Sequence, residues 1–321
     1  MRDTIRELRA ARNLHRWLRR AALSAIPLAG LAGCGKQCDR PDYDTSAQVD
    51  GGVPWASGSQ HSPAECAPYC GPGMHDICYT IDLTGCVAST PSTVTCHYSW
   101  TFCYQGSCGR LPAGLQQSAP ADQPSVVAAY LADAARLEGA AVLAFQALER
   151  ELIAHGAPAH LVARARSAQR DEARHHAAMS NLAARFGAQV PAVEVEALAV
   201  RTLIEFAVEN AVEGCVRETF GAAVAAYQGE WAGNRAVLGA MRSIAVDEAE
   251  HASLGWDVDA WARTRLRPGE LARLDTARRD AHERLVARTL EPIAPELSAV
   301  LGLPDAPAST RLMTALAPLW S

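Results

Sequence analysis

The chain has 321 residues, which is long enough for one or two domains with an apolar core. It carries 30 basic and 35 acidic residues, for a net charge of −5. Residues 1–33 hold seven arginines against Asp3 and Glu7, so the remainder has 23 basic and 33 acidic residues and a net charge of −10, which argues against nucleic acid as a partner.

Residues 1–33 have the pattern of an export signal. A basic stretch through Arg20 precedes an apolar run, Ala21 to Gly33, that is too short to cross a bilayer core of ~30 Å. The segment "LAGC" (31–34) resembles the lipobox of bacterial lipoproteins, which implies that Cys34 is lipidated and becomes the new N-terminus. The alternative is a soluble secreted protein with an ordinary cleavage site. Gly35 stands where an inner-membrane retention aspartate would be expected, so we expect an envelope protein held by a lipid anchor, at the outer membrane and facing the periplasm or the cell surface.

Residues 34–108 form a cysteine-rich segment with few large apolar side chains. In an exported chain such a segment predicts a small domain held by disulfides, four in number, with the connectivity left open. The spacing contains no Cys-x-x-Cys pair, which argues against a zinc or iron–sulfur site. Stretches such as "TVTCHYSWTFCY" (93–104) predict short strands. The eight predicted disulfide cysteines are Cys38, Cys66, Cys70, Cys78, Cys86, Cys96, Cys103 and Cys108.

The remainder of the chain is predicted to be helical after a linker. Residues 109–123 are proline-containing and poor in large apolar side chains, as in a linker. Apolar residues at three- and four-residue spacing then predict four long helices within 124–264, the third beginning near Val193 and reaching about Tyr227. In 265–321 we expect one extra helix, near 271–290, and an irregular tail with several prolines.

The helical region contains an internal repeat. "LEGAAVLAF" (137–145) aligns with "VEGCVRETF" (212–220), and "DEARH" (171–175) aligns with "DEAEH" (247–251). A glutamate and a histidine three apart lie ~60° apart around a helix, so both can reach one metal ion. Two helical hairpins would then direct four carboxylates and two imidazoles into one core, where two divalent cations would balance the charge. The six predicted metal ligands are Glu138, Glu172, His175, Glu213, Glu248 and His251.

This pattern resembles the ferritin-like di-iron and di-manganese carboxylate proteins, the bacterioferritin and rubrerythrin class, over roughly 124–264. The resemblance implies a mainly α chain, a four-helix bundle with one long crossover, preceded by the small disulfide-rich domain. It also implies that Glu172 and Glu248 bridge two metals, that Glu138 joins His175, and that Glu213 joins His251.

Two aspartates and two weaker candidates complete the predicted site. The resemblance implies that Asp171 accepts a hydrogen bond from the His251 ring and that Asp247 accepts one from the His175 ring, which would orient both imidazoles. Arg217 occupies the ligand face of the third helix, where it could hold an anion or pair with a neighbouring glutamate. Glu218 is 140° from Glu213 around a regular helix and would join the site only through a π-bulge.

Two iron ions, or manganese, are the expected cofactor, and dioxygen or peroxide the expected reaction partner. The family implies peroxidase, ferroxidase or oxidase chemistry. The alternative is a non-catalytic lipoprotein that binds metal, or one that acts as a scaffold and whose cysteine-rich domain meets a partner.

Overall fold

The computed structural model describes residues 11–25, 43–49, 52–70, 75–76, 79–102, 110–116, 123–196 and 199–320. The chain divides into two compact units, one of residues 32–104 and one that combines 1–31 with 105–321. The chain is mainly helical, and its sheet lies in the smaller unit. The mainly α prediction is therefore confirmed.

The smaller unit is an antiparallel sheet with one short helix. Strands β4 and β5 form its central hairpin, β1 pairs with β5, and β2 and β3 pair with β4. The elements are β1 Tyr43–Gln48, β2 Gln60–His61, α2 Pro63–Cys70, β3 His75–Asp76, β4 Tyr79–Thr90 and β5 Thr93–Phe102.

Two disulfides fasten α2 to this hairpin. Cys66 and Cys70 are one helical turn apart and therefore lie on the same face of α2. They bond to Cys86 of β4 and Cys96 of β5, which are directly paired across the hairpin. Disulfide bonding is confirmed for these four residues. The remaining cysteines assigned from the sequence lie outside the described residues: Cys34, Cys38, Cys78, Cys103 and Cys108.

The larger unit is built around four long helical segments. The first, α3, begins after Ser125, whose side chain accepts a hydrogen bond from the Ala128 N–H. The turns at Gly156 and Gly187 adopt positive φ, which lets the chain leave α3 and α4. Helix α3 packs on α4, α6 packs on α7, and α4 packs on α7. The helices are α3 Val126–Ala154, α4 Ala159–Arg185, α5 Leu203–Asn210, α6 Glu218–Trp231 and α7 Arg235–Arg263.

The third long segment differs from the prediction at its start and in its middle. The helix was expected from Val193, but it begins at Leu203, where Thr202 and Glu205 form a capping box. Pro191 and the β-branched residues after it favour an extended chain instead. Residues Ala211–Arg217, between α5 and α6, form a π-helical turn. We call this segment the π-turn.

Residues 110–116, the longest described part of the segment predicted as a linker, pack against the larger unit. In 110–116, which we call the strap, the side chains of Arg110, Leu111 and Leu115 are buried. Leu115 pairs with Val195 of the connection between α4 and α5. The backbone pairing and the buried side chains give the strap contacts that a free linker would lack.

The C-terminal tail is helical, although it was expected to be irregular. Pro295 stands at the start of a short helix, a position where its missing N–H costs no hydrogen bond, and Pro318 stands in the last turn of the final helix. The three helices after α7 are α8 Pro268–Thr289, α9 Pro295–Leu301 and α10 Ala306–Trp320.

Helix α1, Ala11–Ser24, lies within the predicted export signal. Leu14, Leu18 and Ala22 are buried, and the helix packs on α6 and α7. Over the described ranges of the chain, no helix combines the length and the apolar character that a bilayer crossing requires.

Candidate metal centre

Six buried ionisable side chains from four helical segments meet in the core of the larger unit. They fall into two groups that share Glu248, and within each group one potential donor atom per residue lies within 4.8 Å of the others. Each of the six residues is at most 3% exposed. The first group is Glu138, Glu172, His175 and Glu248, and the second is Glu218, Glu248 and His251.

The first group is centred on His175 of α4. Its Nδ1 atom lies 3.6 Å from Glu138 Oε2, 3.5 Å from Glu172 Oε2 and 3.3 Å from Glu248 Oε1. Three helices, α3, α4 and α7, supply these side chains. The Nδ1 lone pair and three carboxylates thus converge on one point in the core.

The second group is centred on His251 of α7. Its Nδ1 atom lies 3.0 Å from Glu172 Oε1 and 3.8 Å from Glu248 Oε1. The two oxygens of Glu172 therefore face different imidazoles, and Glu248 Oε1 also approaches both. The ring centroids of His175 and His251 are 5.8 Å apart. Glu172 and Glu248 accordingly lie between the two histidines, the place that the resemblance stated from the sequence implied for bridging carboxylates.

The two aspartates approach the histidines of the opposite repeat. His175 Nε2 is 3.2 Å from Asp247 Oδ2, and His251 Nε2 is 3.5 Å from Asp171 Oδ2. The contact between His175 and Asp247 is a hydrogen bond, whereas the contact between His251 and Asp171 lacks hydrogen-bond geometry. In both histidines the Nδ1 atom faces the carboxylates. A histidine that donates one ring N–H to a carboxylate presents its other nitrogen in a defined tautomer to a ligand.

Glu213 does not join the cluster, and this corrects the predicted ligand set. Its Oε2 atom accepts a hydrogen bond from the Leu111 N–H at 3.1 Å and pairs with Arg217 Nε at 3.1 Å. Its carboxylate is thereby engaged by the strap and by its own turn. Arg217 forms the ion pair that was the alternative to anion binding. Glu218, the weaker candidate, occupies the place beside His251.

The π-turn explains why Glu218, and not Glu213, reaches the centre. The Glu218 N–H bonds to the carbonyl of Glu213, five residues earlier, where a regular helix would use a spacing of four. The wider turn takes up one extra residue. Glu218, which would stand ~140° from Glu213 in a regular helix, is therefore turned toward the core.

The glycine after each aligned glutamate serves close helix packing. A Cβ atom on Gly139 would lie 3.1 Å from His176 Nδ1, and a Cβ atom on Gly214 would lie 2.7 Å from Asn210 Oδ1 and 3.1 Å from Gly255 Cα. His176 is half-buried and bonds to the Ala135 carbonyl, so it supports the packing of α4 on α3. The Glu-Gly dipeptide shared by the two repeats therefore reflects close helix packing as well as the chemistry of the glutamate.

Burial and mutual repulsion control the ionisation of the cluster. Burial raises the pKa of Glu138 well above its ordinary value, and Glu172 raises it further. Burial and the neighbouring Glu248 raise the pKa of Glu218 in the same way. Burial opposes ionisation of Glu172 too, but the two imidazoles outweigh it and lower its pKa. The pKa values of both imidazoles are raised, because the surrounding carboxylates outweigh burial, which lowers them. Protons or cations must therefore balance the carboxylates.

Arg174 was not singled out from the sequence. Its Nη2 atom lies 2.7 Å from Asp171 Oδ1 and 3.2 Å from Asp247 Oδ2, so one exposed guanidinium joins the two aspartates that orient the histidines. The repeat contained a signal for this role, because Arg174 aligns with Glu250 and is the one difference between the segments "DEARH" and "DEAEH". Phe145, which packs on the His251 ring at a centroid distance of 5.0 Å, was noted only as an aligned repeat position.

Comparison of the chain with protein-family models, with curated proteins and with solved structures gave no match. The assignment of the centre therefore rests on the residues themselves, which form a buried cluster of carboxylates and imidazoles able to hold a metal ion.

Proposed function

We propose that the cluster binds two divalent metal ions and carries out redox chemistry with dioxygen or peroxide. The observation that carries the proposal is the lack of hydrogen-bond partners for the four buried glutamates. Over the described ranges, none of their eight carboxylate oxygens has a hydrogen-bond partner. Leaving a buried polar group without a partner costs about 1–3 kcal/mol, and more for a charged group, so a protein keeps such a group where a ligand satisfies it.

Charge and ligand type favour two hard divalent cations. Four carboxylates contribute four negative charges, and two divalent ions would cancel them while both imidazoles stay neutral. Carboxylate-rich sites with two imidazoles suit iron or manganese, whereas structural zinc sites are four-coordinate and commonly use thiolates. Two iron ions are the proposed cofactor, with manganese as the second choice. When bound, such a pair supplies electrons for the reduction of dioxygen or peroxide.

The protein's own groups prepare the site for this chemistry. Asp247 and Asp171 hold the His175 and His251 rings so that each Nδ1 faces the carboxylates. Burial and neighbouring carboxylates raise the pKa values of Glu138 and Glu218, so a proton competes with a cation for each of these carboxylates. Burial of all six side chains keeps bulk water from the centre.

The ferritin-like resemblance and the export signal complete the proposal. The ligand set, the order of the helices and the connection from α4 to α5 support a ferritin-like bundle with one long crossover. Lipidation of Cys34 would attach the protein to the envelope membrane, where the redox centre would meet dioxygen or peroxide.

Metal analysis and optical spectroscopy test the proposal. The full-length chain is purified, its metal content is measured, and the reduced protein is mixed with dioxygen or peroxide while the near-ultraviolet and visible spectrum is recorded. We expect two metal ions per chain and a new absorption band. Glu172→Ala combined with Glu248→Ala should abolish metal binding and the absorption band, because the first group loses two ligands and the second group loses one.

Glu250→Gln is the matched control, since Glu250 stands two residues from Glu248 on the same helix but its side chain is 54% exposed. It should retain both metals and the spectrum. Absence of metal from the wild type would refute the proposal, as would unchanged binding in the double variant. Bound metal that never responds to either oxidant would leave a non-catalytic metal-binding role in its place.

A further inference from the structure

The π-turn receives contacts from two segments that lie outside the four long helices. The strap approaches its start, and the last residue of α10, Trp320, approaches its end. We propose that Arg110 of the strap and Trp320 are positioning residues that hold the π-turn and thereby keep Glu218 in the metal centre. This inference rests on the proposed function insofar as Glu218 is a ligand.

Arg110 is a buried cation at the junction of α5 and the π-turn. Its side chain is 2% exposed. Its Nη1 atom donates to Asn210 Oδ1 at 3.1 Å, and its Nε atom donates to Glu209 Oε1 at 3.1 Å, beside a second contact from Nη2 to the same carboxylate. Asn210 in turn donates from Nδ2 to the Gly255 carbonyl at 2.9 Å. The guanidinium therefore links the last residues of α5 to the backbone of α7.

The strap also binds the turn itself. The Leu111 N–H donates to Glu213 Oε2 at 3.1 Å, and the Arg110 Nη1 atom lies 3.1 Å from the position that a Cβ atom on Gly214 would take. The carboxylate that was expected in the metal centre is thus a point of attachment for the strap. A side chain on Gly214 would crowd Asn210 Oδ1 at 2.7 Å, as well as the guanidinium and the backbone of Gly255, each at 3.1 Å.

Trp320 contacts the far end of the turn. Its Nε1 atom donates to the Cys215 carbonyl at 3.0 Å, and its ring packs against His282 of α8 with a centroid distance of 4.7 Å. Helix α8 packs directly on the π-turn as well. The turn is therefore held from the strap side, from α7 and from the C-terminal helices.

Such support is needed because a π-turn is an unfavourable local structure. π-Helical turns are rare, and an isolated chain prefers the regular spacing of four. Removing the extra residue from the turn would rotate one side of the helix against the other by ~100°. Glu218 would then turn away from Glu248 and His251. The first group contains no residue of this segment, so it would keep its geometry.

Two conservative variants test the inference. Trp320→Phe keeps an aromatic ring but removes the N–H donor, and Arg110→Gln removes the charge and the paired donors. All variants are made in the unprocessed chain of residues 1–321, where Trp231→Phe is the matched control for the first, because its Nε1 atom also donates to a backbone carbonyl, that of Ala22, away from the turn. Arg164→Gln is the control for the second, because Arg164 of α4 also pairs with two carboxylates, those of Glu250 and Asp257 of α7, but contacts neither the strap nor α8.

Hydrogen exchange of the metal-free proteins is measured first, by mass spectrometry of peptides that cover 211–220. We expect both test variants to exchange these amides about tenfold faster than wild type, with the long helices unchanged. Titration with Mn²⁺ follows. The second equivalent should bind about 10–100-fold more weakly, as for other residues that position a ligand, and the first should change less than about twofold.

The outcomes separate this inference from the proposed function. Test variants that match their controls in exchange and in both metal affinities would overturn it. Equal weakening of both equivalents would also overturn it, because that is the result of a general loss of stability. A wild type that binds no Mn²⁺ or Fe²⁺ would refute the proposed function, and the exchange rates would then decide alone whether the two residues hold the turn.

Discussion

Exchanging the carboxylate for an amide at Glu218 and at Glu213 distinguishes the observed ligand set from the one expected from the repeat. Gln has the same shape as Glu but carries no charge and binds hard cations weakly. In Glu218→Gln the second group keeps only His251 and the shared Glu248. In Glu213→Gln the cluster is untouched, and the amide oxygen can still accept the Leu111 N–H.

The structure sets the expected size of each effect. With two divalent ions and four carboxylates the centre is neutral, so loss of one carboxylate leaves an uncompensated positive charge in the core. A unit pair at 4 Å is worth ~4 kcal/mol at the effective dielectric constant of partly buried sites, and desolvation offsets part of this gain. We expect at least about 2.8 kcal/mol, or a hundredfold loss of affinity for the second ion. Glu213 pairs with Arg217 at a half-buried site, where such pairs contribute roughly 0.2–1 kcal/mol, so Glu213→Gln should change either affinity by less than about fivefold.

Isothermal titration of the chelator-treated proteins with Mn²⁺ measures both affinities. Metal content by mass spectrometry gives the stoichiometry independently. We expect two equivalents for wild type and Glu213→Gln, and one strong equivalent for Glu218→Gln. The reverse result, with the second ion lost from Glu213→Gln and retained by Glu218→Gln, would refute the reasoning about the π-turn.

Three further outcomes follow from the same geometry. Asp171→Asn should weaken metal binding about tenfold, with a changed spectroscopic signature of His251 on the opposite repeat; an unchanged affinity would contradict the crosswise pairing. Gly214→Ala should lower the free energy of unfolding, measured by urea denaturation, by about 1–3 kcal/mol because its new Cβ meets Asn210 Oδ1 at 2.7 Å. Gly239 has open space around it, so Gly239→Ala should raise the free energy of unfolding by about 0.5–1 kcal/mol. Mn²⁺ at a hundred times its Kd should stabilise the protein by ~2.7 kcal/mol per site, or about 5.4 kcal/mol for two sites, so chelation should lower Tm by about 10–20 °C, and an unchanged Tm would argue against binding.

Local helix geometry made much of the centre predictable. Glu172 and His175 stand three residues apart, as do Glu248 and His251, and this spacing places each pair on one face regardless of the rest of the chain. Crosswise hydrogen bonds from the two histidines to the aspartates of the opposite repeat were likewise predicted. The one between His175 and Asp247 is observed, and Asp171 lies 3.5 Å from His251 without hydrogen-bond geometry. These relationships depend on the helical period and on a repeat that is visible in the sequence.

The features that were missed depend on contacts between distant segments. Nothing in "AVEGCVR" alone requires a π-turn, because its support comes from Arg110 and Trp320, whose contacts span 100 and 105 residues of sequence. Aligning the two Glu-Gly dipeptides therefore selected Glu213 as a ligand, although Glu218 occupies the position beside His251 in the core. Composition alone also described the strap as a linker, since its attachment depends on three buried side chains and on backbone hydrogen bonds that composition does not reveal.

The π-turn makes the two halves of the centre unequal although they are related by an internal repeat. One ion would be held through Glu138 on a regular helix, and the other through Glu218 on a turn that needs outside support. The two positions would then fill in order, the regular half first. Under metal scarcity the chain would carry a single ion, and the pair required for two-electron chemistry would assemble only as the supply of cation rose.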